Sequence, residues 1–530
     1  MNQTAIYISK DANSISRSMF LPVMRKIKNK KKEDMNILGS KKHKCNFMLC
    51  GFITSLVFII SGIIIVSMRY VLHNKLRSEA FILAPGTKSF EMLKKSPFNT
   101  YFDIYFFNWT NPKDFHDSSK KPKFKEVGPF RFLEVYEKTN ISFHENSTVS
   151  YNRTRRWYFV EEESAYDLYE PITTINPVSV SAAYVVRNDG FIKRKGLSFS
   201  MNSIHGKMDM TQSAGNLLFL GYDDAMMSLA KKLPFIKDLP PMDKFGWFYG
   251  RNGSNTFDGR FNVYTGNSST VTGKIHDWNN LVHSPFYEDK CGDIRGSAGE
   301  FFPHNLRKET LDIFNIEMCR TIVLDFDKEV REGLFNAYRY TAGDHFLDNG
   351  TIIPENKCYC TGDCVPYGMV NVSSCRYGSP GFVSLPHFYK ADPYYGNLVE
   401  GLNPSERHNF YMTLEPNTGL PLEVAARLQL NLLVKKVPSI SLLEDINELF
   451  FPMVWFEQVV KIPSSLSLGL FILLWIKEIC LALGFSMIFM GLFTISYIIY
   501  RICTTPLCGG GKNRPYMIKE LVPLNQEKLG

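Results

Sequence analysis

Two long, uncharged apolar runs near opposite ends of this 530-residue chain constrain its fold more than any other feature. One covers residues 46–68 and the other covers residues 479–500. As α-helices rising about 1.5 Å per residue, such runs reach about 33–36 Å, which is enough to cross a hydrocarbon core of about 30 Å. Buried helices of soluble proteins are usually shorter and carry some polar residues. Both runs therefore predict transmembrane helices.

The formal net charge of +9 lies in the two tails. Residues 1–45 carry eleven Lys/Arg against three Asp/Glu, and residues 501–530 carry five against two, so the centre of the chain is slightly acidic. Nucleic-acid binding by the centre therefore loses its main support. Basic residues outside both runs predict cytoplasmic tails at 1–45 and 501–530 by the positive-inside rule. Residues 69–478 then form a large ectodomain across the membrane.

Glycosylation sequons follow this division. Eight Asn-x-Ser/Thr sequons lie between the two runs, where the topology predicts an oxidising, glycosylating compartment. The predicted glycosylation sites are Asn108, Asn140, Asn146, Asn152, Asn252, Asn267, Asn349 and Asn371.

The cysteines follow the same division. Six cysteines cluster in the predicted ectodomain, namely Cys291, Cys319, Cys358, Cys360, Cys364 and Cys375. An even number in an oxidising compartment predicts disulfides, although six cysteines allow fifteen pairings. Zinc is the competing interpretation, but the cluster lacks the paired C-x2-C spacing that is usual for zinc sites, so no metal is expected. Four further cysteines next to the membrane runs are palmitoylation candidates, with plain reduced thiols as the alternative: Cys45, Cys50, Cys503 and Cys508.

Strand patterns dominate the predicted ectodomain. Segments rich in β-branched and aromatic residues, bounded by Gly, Pro and Asn, predict strands: 102–107, 130–136, 156–160, 257–265, 320–326 and 428–437. Shorter segments with helical periodicity predict helices at 213–220, 224–232 and 441–451. The fold class is therefore mostly β, antiparallel, with helical insertions.

Catalytic and cofactor motifs do not emerge from the sequence. Residues 266–274 only distantly resemble a phosphate-binding loop, because six residues separate the two glycines and Ile275 replaces the Ser/Thr. No metalloprotease, serine-hydrolase or EF-hand motif occurs. We therefore expect a binding protein without a cofactor, although a catalytic site built from distant residues is the alternative.

Several local strings bear a family resemblance. The chain resembles the class B scavenger receptors, which include lysosomal integral membrane proteins and insect sensory neuron membrane proteins. The matching strings are KFKEVGPF at 123–130, GYD at 221–223, SLPHF at 384–388, EGLNP at 400–404, LEPNTG at 414–419 and RLQLNLLV at 427–434.

The resemblance implies an antiparallel β-barrel ectodomain with an apical helical bundle near residues 180–234 and an internal apolar tunnel that passes lipid to the membrane. It also implies the disulfides Cys291–Cys358, Cys319–Cys375 and Cys360–Cys364. Four cations of the bundle, Lys193, Arg194, Lys195 and Lys207, are candidate ligands for anionic lipid groups. Ordinary solvated surface is the alternative for them.

Two functions follow as hypotheses. The first is a plasma-membrane receptor that binds lipids, fatty acids or lipoprotein particles and passes lipid to the bilayer. The second is an endosomal or lysosomal membrane receptor that carries a soluble protein partner on its helical bundle. A role in cell adhesion is a third possibility. The string EDMNIL at 33–38 only approximates an acidic dileucine sorting signal, so surface residence is the leading expectation.

Overall fold

The structure is a computed structural model that describes residues 13–98, 100–231, 242–266 and 272–504, with side chains from residue 46 onward. It divides into two units. One comprises Met1–Lys75 with Ile472–Gly530, and the other comprises Leu76–Phe471.

Seven α-helices and fifteen strands occur among the described residues. The helices are α1 (Asn13–Phe81), α2 (Lys88–Lys94), α3 (Pro177–Val186), α4 (Phe191–Ile204), α5 (Ala225–Ala230), α6 (Pro393–Asn397) and α7 (Ser464–Thr504). The strands are β1 (Thr100–Trp109), β2 (Phe124–His144), β3 (Thr148–Phe159), β4 (Pro171–Ile175), β5 (Asp209–Ser213), β6 (Arg260–Tyr264), β7 (Ile275–Trp278), β8 (Thr310–Asn315), β9 (Arg320–Glu332), β10 (Phe335–Thr341), β11 (Met369–Asn371), β12 (Gly381–Ser384), β13 (Tyr411–Leu414), β14 (Pro421–Val434) and β15 (Leu449–Lys461).

The first unit contains most of the two helices that are long and apolar enough to cross a membrane. The candidate spans are Asn46–Phe81 and Ser464–Thr504, both longer than the apolar runs at 46–68 and 479–500. The helices extend further because apolarity marks only the membrane-embedded part, whereas a helix usually ends near a residue that cannot continue it. Here Pro85 follows α1 closely and Pro463 directly precedes α7.

Small residues bring α1 and α7 close together. A Cβ placed on Gly62 would lie 2.6 Å from the carbonyl oxygen of Gly484, and one on Gly491 would lie 2.9 Å from that of Ser55. The hydroxyls of Ser55 and Thr494 are 2.6 Å apart, within hydrogen-bonding distance. Because lipid tails are as apolar as the helices, close packing and such hydrogen bonds are what hold a helix pair together in a bilayer.

The second unit is built on one large antiparallel sheet. Thirteen strands form it, in the order β7-β6-β3-β2-β1-β15-β14-β13-β10-β9-β8, with β12 also paired to β14 and β11 to β12. Strands β4 and β5 form a separate two-stranded sheet.

A short connecting segment bridges the two edge strands of the large sheet. The amide of Ile275, at the start of β7, donates to the carbonyl of Gly296 at 2.9 Å. On the other side, Ser297 donates to Asp312 at 3.0 Å and accepts from Phe314 at 2.9 Å, and both partners belong to β8. The sheet is therefore nearly closed into a barrel, and little of its edge is left unpaired.

Helices α3, α4 and α5 form the helical bundle that the resemblance implies. Asn176 caps α3 by accepting hydrogen bonds from the amides of Val178 and Ser179, and Asp224 caps α5 in the same way through Met226. The sequence prediction at 224–232 corresponds to α5, but the helix predicted at 213–220 is only a short π-helix at Asn216–Leu220.

The helix predicted over 441–451 is wrong. A 3-10 turn occupies Ser441–Leu443, and β15 begins at Leu449. Residues Leu449, Phe450 and Phe451 pair with the end of β14. Cross-strand burial of these apolar side chains outweighs the helical periodicity of the segment. The six predicted strands all overlap observed strands, namely β1, β2, β3, β6, β9 and β14.

Candidate functional site

Aromatic side chains fill the interior of the barrel between β1, β3 and β15. The ring centres of Phe102, Trp157, Phe219, Phe248 and Phe456 lie 5.2–6.3 Å from their ring neighbours. All but Phe219 are buried. Among the described residues, these rings belong to the largest apolar cluster or, in the case of Phe219, pack against it. The tunnel stays a prediction.

The same apolar cluster continues from the barrel into the helical bundle. Val180 and Ala183 of α3 and Met201 of α4 belong to it, together with Leu433 and Val434 of β14. All five side chains are at most 5% exposed. Continuous apolar material therefore connects the bundle with the barrel interior.

A cavity of about 140 Å³ opens beside the end of β1. Trp109 and Phe115 form its aromatic wall, and Leu398 and Leu449 add apolar surface. Its polar side includes Lys120, which pairs with Asp114 at 2.8 Å. A cavity of about this volume has room for one small ring. It is therefore a surface pocket rather than a channel.

The four candidate cations of the bundle do not form a free basic patch. Each lysine has its own carboxylate partner, with Nζ–O distances of 3.4 Å for Lys193–Asp189, 3.7 Å for Lys195–Glu444 and 2.7 Å for Lys207–Asp209. Arg194 donates to the carbonyl of Arg187 at 3.3 Å. These contacts favour the solvated-surface interpretation, and the role in binding anionic lipid stays a prediction.

Helix α4 exposes apolar side chains instead. Phe191, Ile192 and Phe199 are 60%, 86% and 75% exposed. Ile192 and Phe199 are seven residues apart and thus share one face of the helix. An apolar helical face of this kind is suited to contact with a partner or a lipid surface.

Two stacked histidines lie buried on the other side of the sheet. The rings of His387 and His408 are 4.3 Å apart. His387 Nε2 lies 2.7 Å from Glu126 Oε2, while its Nδ1 accepts from the amide of Asn403 at 3.1 Å. His408 Nδ1 accepts from the amide of Ser405 at 3.2 Å. Protonation of either Nδ1 would remove the acceptor of a backbone hydrogen bond.

We expect His408 to make stability depend on pH. Burial lowers the pKa of His408, and the charge of His387 lowers it further, to about 4. In the unfolded chain this histidine has its ordinary pKa of ~6.5. Below that pH the unfolded state therefore binds more protons than the folded state, so stability falls as the pH drops from ~6.5 towards 4. Urea titrations of wild type and His408→Gln should show a loss between pH 7.5 and 5 that is about 2 kcal/mol larger in wild type. An equal loss in both would contradict this.

Three disulfides join the ectodomain cysteines. The pairs are Cys291–Cys358, Cys319–Cys375 and Cys360–Cys364, the pairing that the resemblance implies. Among the described residues, no group of three or more His, Cys, Asp or Glu side chains could hold a metal ion.

The palmitoylation candidates fall partly outside the described side chains. Cys50 and Cys503 are free and exposed. The side chain of Cys45 and all of Cys508 lie outside the described part. Cys480 is also free but buried.

The sequons differ in accessibility. Asn140, Asn146 and Asn252 are exposed, and Asn108 and Asn152 are partly exposed. In contrast, Asn349 and Asn371 are 7% and 6% exposed. Their Nδ2 atoms donate to the carbonyls of Val365 and Thr361. Asn267 lies outside the described residues.

We expect glycan occupancy to follow this difference, because Nδ2 is the atom that carries the glycan. In eukaryotic cells, Asn140→Gln and Asn146→Gln should each remove one glycan and increase gel mobility. The matched changes Asn349→Gln and Asn371→Gln should not change the mobility. Glycosidase digestion should bring all variants to one position. A mobility shift for Asn349→Gln and Asn371→Gln, with none for Asn140→Gln and Asn146→Gln, would contradict the expected occupancy.

Comparison with known proteins identifies the family. The CD36 family model matches residues 52–502, which include nearly all of the barrel, the bundle and both candidate spans. The chain belongs to the CD36 family. It is 38% identical to Protein peste of Drosophila melanogaster over 415 residues, which cover 77% of this chain and 74% of that protein.

Two vertebrate members of the CD36 family are also similar. Scavenger receptor class B member 1 of Bos taurus is 31% identical over 77% of this chain and 79% of its own length. Lysosome membrane protein 2 of Homo sapiens is 30% identical over 80% of this chain and 87% of its own length. As a CD36-family protein with two terminal apolar helices, the chain is a two-span membrane protein, and its relatives bear out the resemblance found in the sequence.

Proposed function

We propose that this CD36-family chain is a lipid receptor that binds lipid or lipoprotein-type ligands through its ectodomain and passes lipid along its apolar interior to the membrane. The supporting observation is the apolar cluster that runs without interruption from α3 and α4 into the barrel strands. A lipid tail gains about 0.8 kcal/mol for each CH2 group that it buries, so such an interior can take up lipid without any covalent chemistry.

The proposal places the ectodomain outside the cytoplasm and both tails inside it. Residence at the plasma membrane is the leading expectation, and endosomal or lysosomal membranes are the alternative. One relative carries "scavenger receptor" in its name and another "lysosome membrane protein", and the second name supports the alternative. Antibody staining of an ectodomain tag in intact and in permeabilised cells distinguishes the two.

Ligand affinity should rise with acyl length. Each added CH2 should strengthen binding about fourfold until the interior is filled, since 0.8 kcal/mol corresponds to about that factor. Displacement of a fluorescent fatty acid from the purified full chain by C10 to C18 competitors measures this, and mass spectrometry of the released lipid should find it unchanged. Affinity that is independent of length would contradict binding in an apolar interior.

The junction between bundle and barrel offers a site for a blocking variant. Ala183 of α3 is fully buried against residues such as Leu433, whereas its neighbour Ala182 is partly exposed. Ala183→Trp should reduce lipid transfer, while Ala182→Trp serves as the matched control on the same helix. Equal transfer by the two variants, at equal surface expression, would mean that lipid does not pass through this junction.

A protein partner on the bundle is the second candidate function, and the exposed face of Phe191, Ile192 and Phe199 favours it. Under this hypothesis the chain carries a soluble protein through endolysosomal membranes. Phe199→Ser should then abolish co-transport of that protein without affecting lipid binding.

Triple replacement of Lys193, Lys195 and Lys207 by Glu tests the anionic-lipid role separately, because it should weaken binding of fatty acids but not of sterol esters.

A further inference from the structure

A layer of charged side chains crosses the barrel interior between two apolar clusters. Alternate residues of β2, namely Glu134, Tyr136 and Lys138, face the interior and pair across the strands with Trp157, Arg155 and Arg153 of β3. The guanidinium carbon of Arg155 lies 5.1 Å from the ring centre of Trp157, which belongs to the larger cluster. That of Arg153 lies 4.4 Å from the ring centre of Phe261, which belongs to the second cluster.

Arg155 is the centre of this polar layer. Its side chain bonds Asp258 at 2.6 Å and Glu317 at 3.1 Å, and it lies 3.9 Å from Glu134 Oε1. Arg251 shares the same oxygen of Glu317. The four largely buried cations of the layer meet an equal number of carboxylates: Lys138, Arg153, Arg155 and Arg251 against Glu134, Asp258, Glu300 and Glu317.

Four buried polar atoms around Arg155 have no hydrogen-bond partner. Two are acceptors, Glu134 Oε1 and Asp258 Oδ2, and two are donors, Trp157 Nε1 and Arg251 Nε. All four residues are more than nine-tenths buried. Buried polar groups in native proteins are nearly always paired, and each unpaired one costs about 1–3 kcal/mol, so a missing partner is expected at this place.

We propose that the polar layer binds the hydroxyl group of a neutral lipid alcohol whose hydrocarbon part lies against the aromatic rings of the larger cluster. This inference rests on the proposed lipid-binding function and names its ligand class. A hydroxyl both donates and accepts, so it satisfies unpaired atoms of both kinds. A carboxylate or phosphate only accepts, and it would meet two unpaired carboxylate oxygens. A hydroxyl needs little more room than a water molecule, about 10–15 Å³, so small side-chain shifts admit it.

The test compares probes that differ only at the head. Hexadecan-1-ol, hexadecyl methyl ether and hexadecanoate are used to displace an anthroyloxy-labelled fatty acid from the full chain in detergent. The alcohol should displace the label at a concentration about tenfold lower than the ether, because the ether oxygen also accepts hydrogen bonds but cannot donate one to Glu134 or Asp258. Trp157→Phe removes an unpaired donor that can bond the oxygen of either probe, so it should weaken the alcohol and the ether alike. Trp109→Phe should weaken neither, because the indole N–H of Trp109 already bonds Asn111 at 3.1 Å.

Each other outcome overturns the inference. Equal displacement by alcohol and ether would mean that water alone occupies the layer, while lipid binding itself would stand. Stronger displacement by hexadecanoate than by the alcohol would assign the layer to an anion. Equal effects of Trp157→Phe and Trp109→Phe on displacement by the alcohol would place the recognition elsewhere. Displacement by none of the three would contradict the proposed lipid-binding function as a whole.

Discussion

Replacing Glu317 by alanine should lower the free energy of unfolding of the ectodomain by about 3–5 kcal/mol, as expected when one partner of a buried ion pair is removed. Three arginines depend on this carboxylate, with N–O distances of 2.5 Å for Arg251, 3.1 Å for Arg155 and 3.3 Å for Arg376. Without it, Arg251 and Arg376 keep their charge and lose this carboxylate partner, while Arg155 keeps only its acidic neighbours such as Asp258. Urea titration followed by tryptophan fluorescence measures the loss.

The control is an exposed ion pair. Glu329 pairs with Lys308 at the surface, where both side chains are more than half exposed. Glu329→Ala should leave the urea midpoint nearly unchanged, because exposed ion pairs contribute little. Equal effects of the two substitutions would contradict a structural role of the buried network.

The same carboxylate should make the ectodomain sensitive to strong acid. Burial opposes ionisation of Glu317, but the charges of Arg251, Arg155 and Arg376 outweigh it and hold its pKa well below the usual range. Because its pKa is lower in the folded state, Glu317 stabilises the fold at pH values above the ordinary glutamate pKa of ~4.3. This stability is lost as the pH falls below that value. Glu317→Gln should remove this part of the acid dependence.

Removing the Cys319–Cys375 disulfide should cost about 4 kcal/mol. The bridge spans a sequence separation of 56 residues, and the chain-entropy model gives about that value for such a loop. The double variant Cys319→Ala with Cys375→Ala should therefore have a much lower urea midpoint than wild type.

The small bridge in the same region provides the comparison. Cys360 and Cys364 are only 4 residues apart, so their removal should cost about 2 kcal/mol in the same model. Non-reducing peptide mapping of wild type should find Cys291 joined to Cys358. A free thiol at Cys319 in the wild-type protein, or a larger loss for the short bridge than for the long one, would contradict the assignment.

Sequence patterns predicted the features that depend on periodicity and composition. The membrane helices follow from apolar runs, and strands such as β1 and β9 follow from runs of aromatic and β-branched residues. Strand order was not accessible from the residues alone, because it depends on pairing between distant segments such as β1 and β15. The barrel came from the family resemblance, which specifies long-range contacts that no local pattern contains.

The charged layer was the main omission in the site. Its signal was present in the sequence, since Glu134, Tyr136 and Lys138 stand at alternate positions along β2. Polar residues at alternate positions of a strand are usually taken as the solvent face. Inside this barrel these side chains instead face the charged residues of the neighbouring strand. Only the pairing of β2 with β3 reveals this arrangement. The cations of the bundle stay candidates, and the partner of Lys195 was not accessible from local patterns because Glu444 is distant in sequence.

Transfer of lipid from a particle to the membrane tests the central claim most directly. Cells that display equal amounts of wild type, Ala183→Trp or Ala182→Trp receive lipoprotein-type particles containing a fluorescent, non-hydrolysable cholesteryl ether, and membrane fluorescence is followed after particles are washed away. The account predicts transfer by wild type and Ala182→Trp, and strongly reduced transfer with intact particle binding by Ala183→Trp. Transfer by wild type no faster than by cells lacking the protein would contradict it.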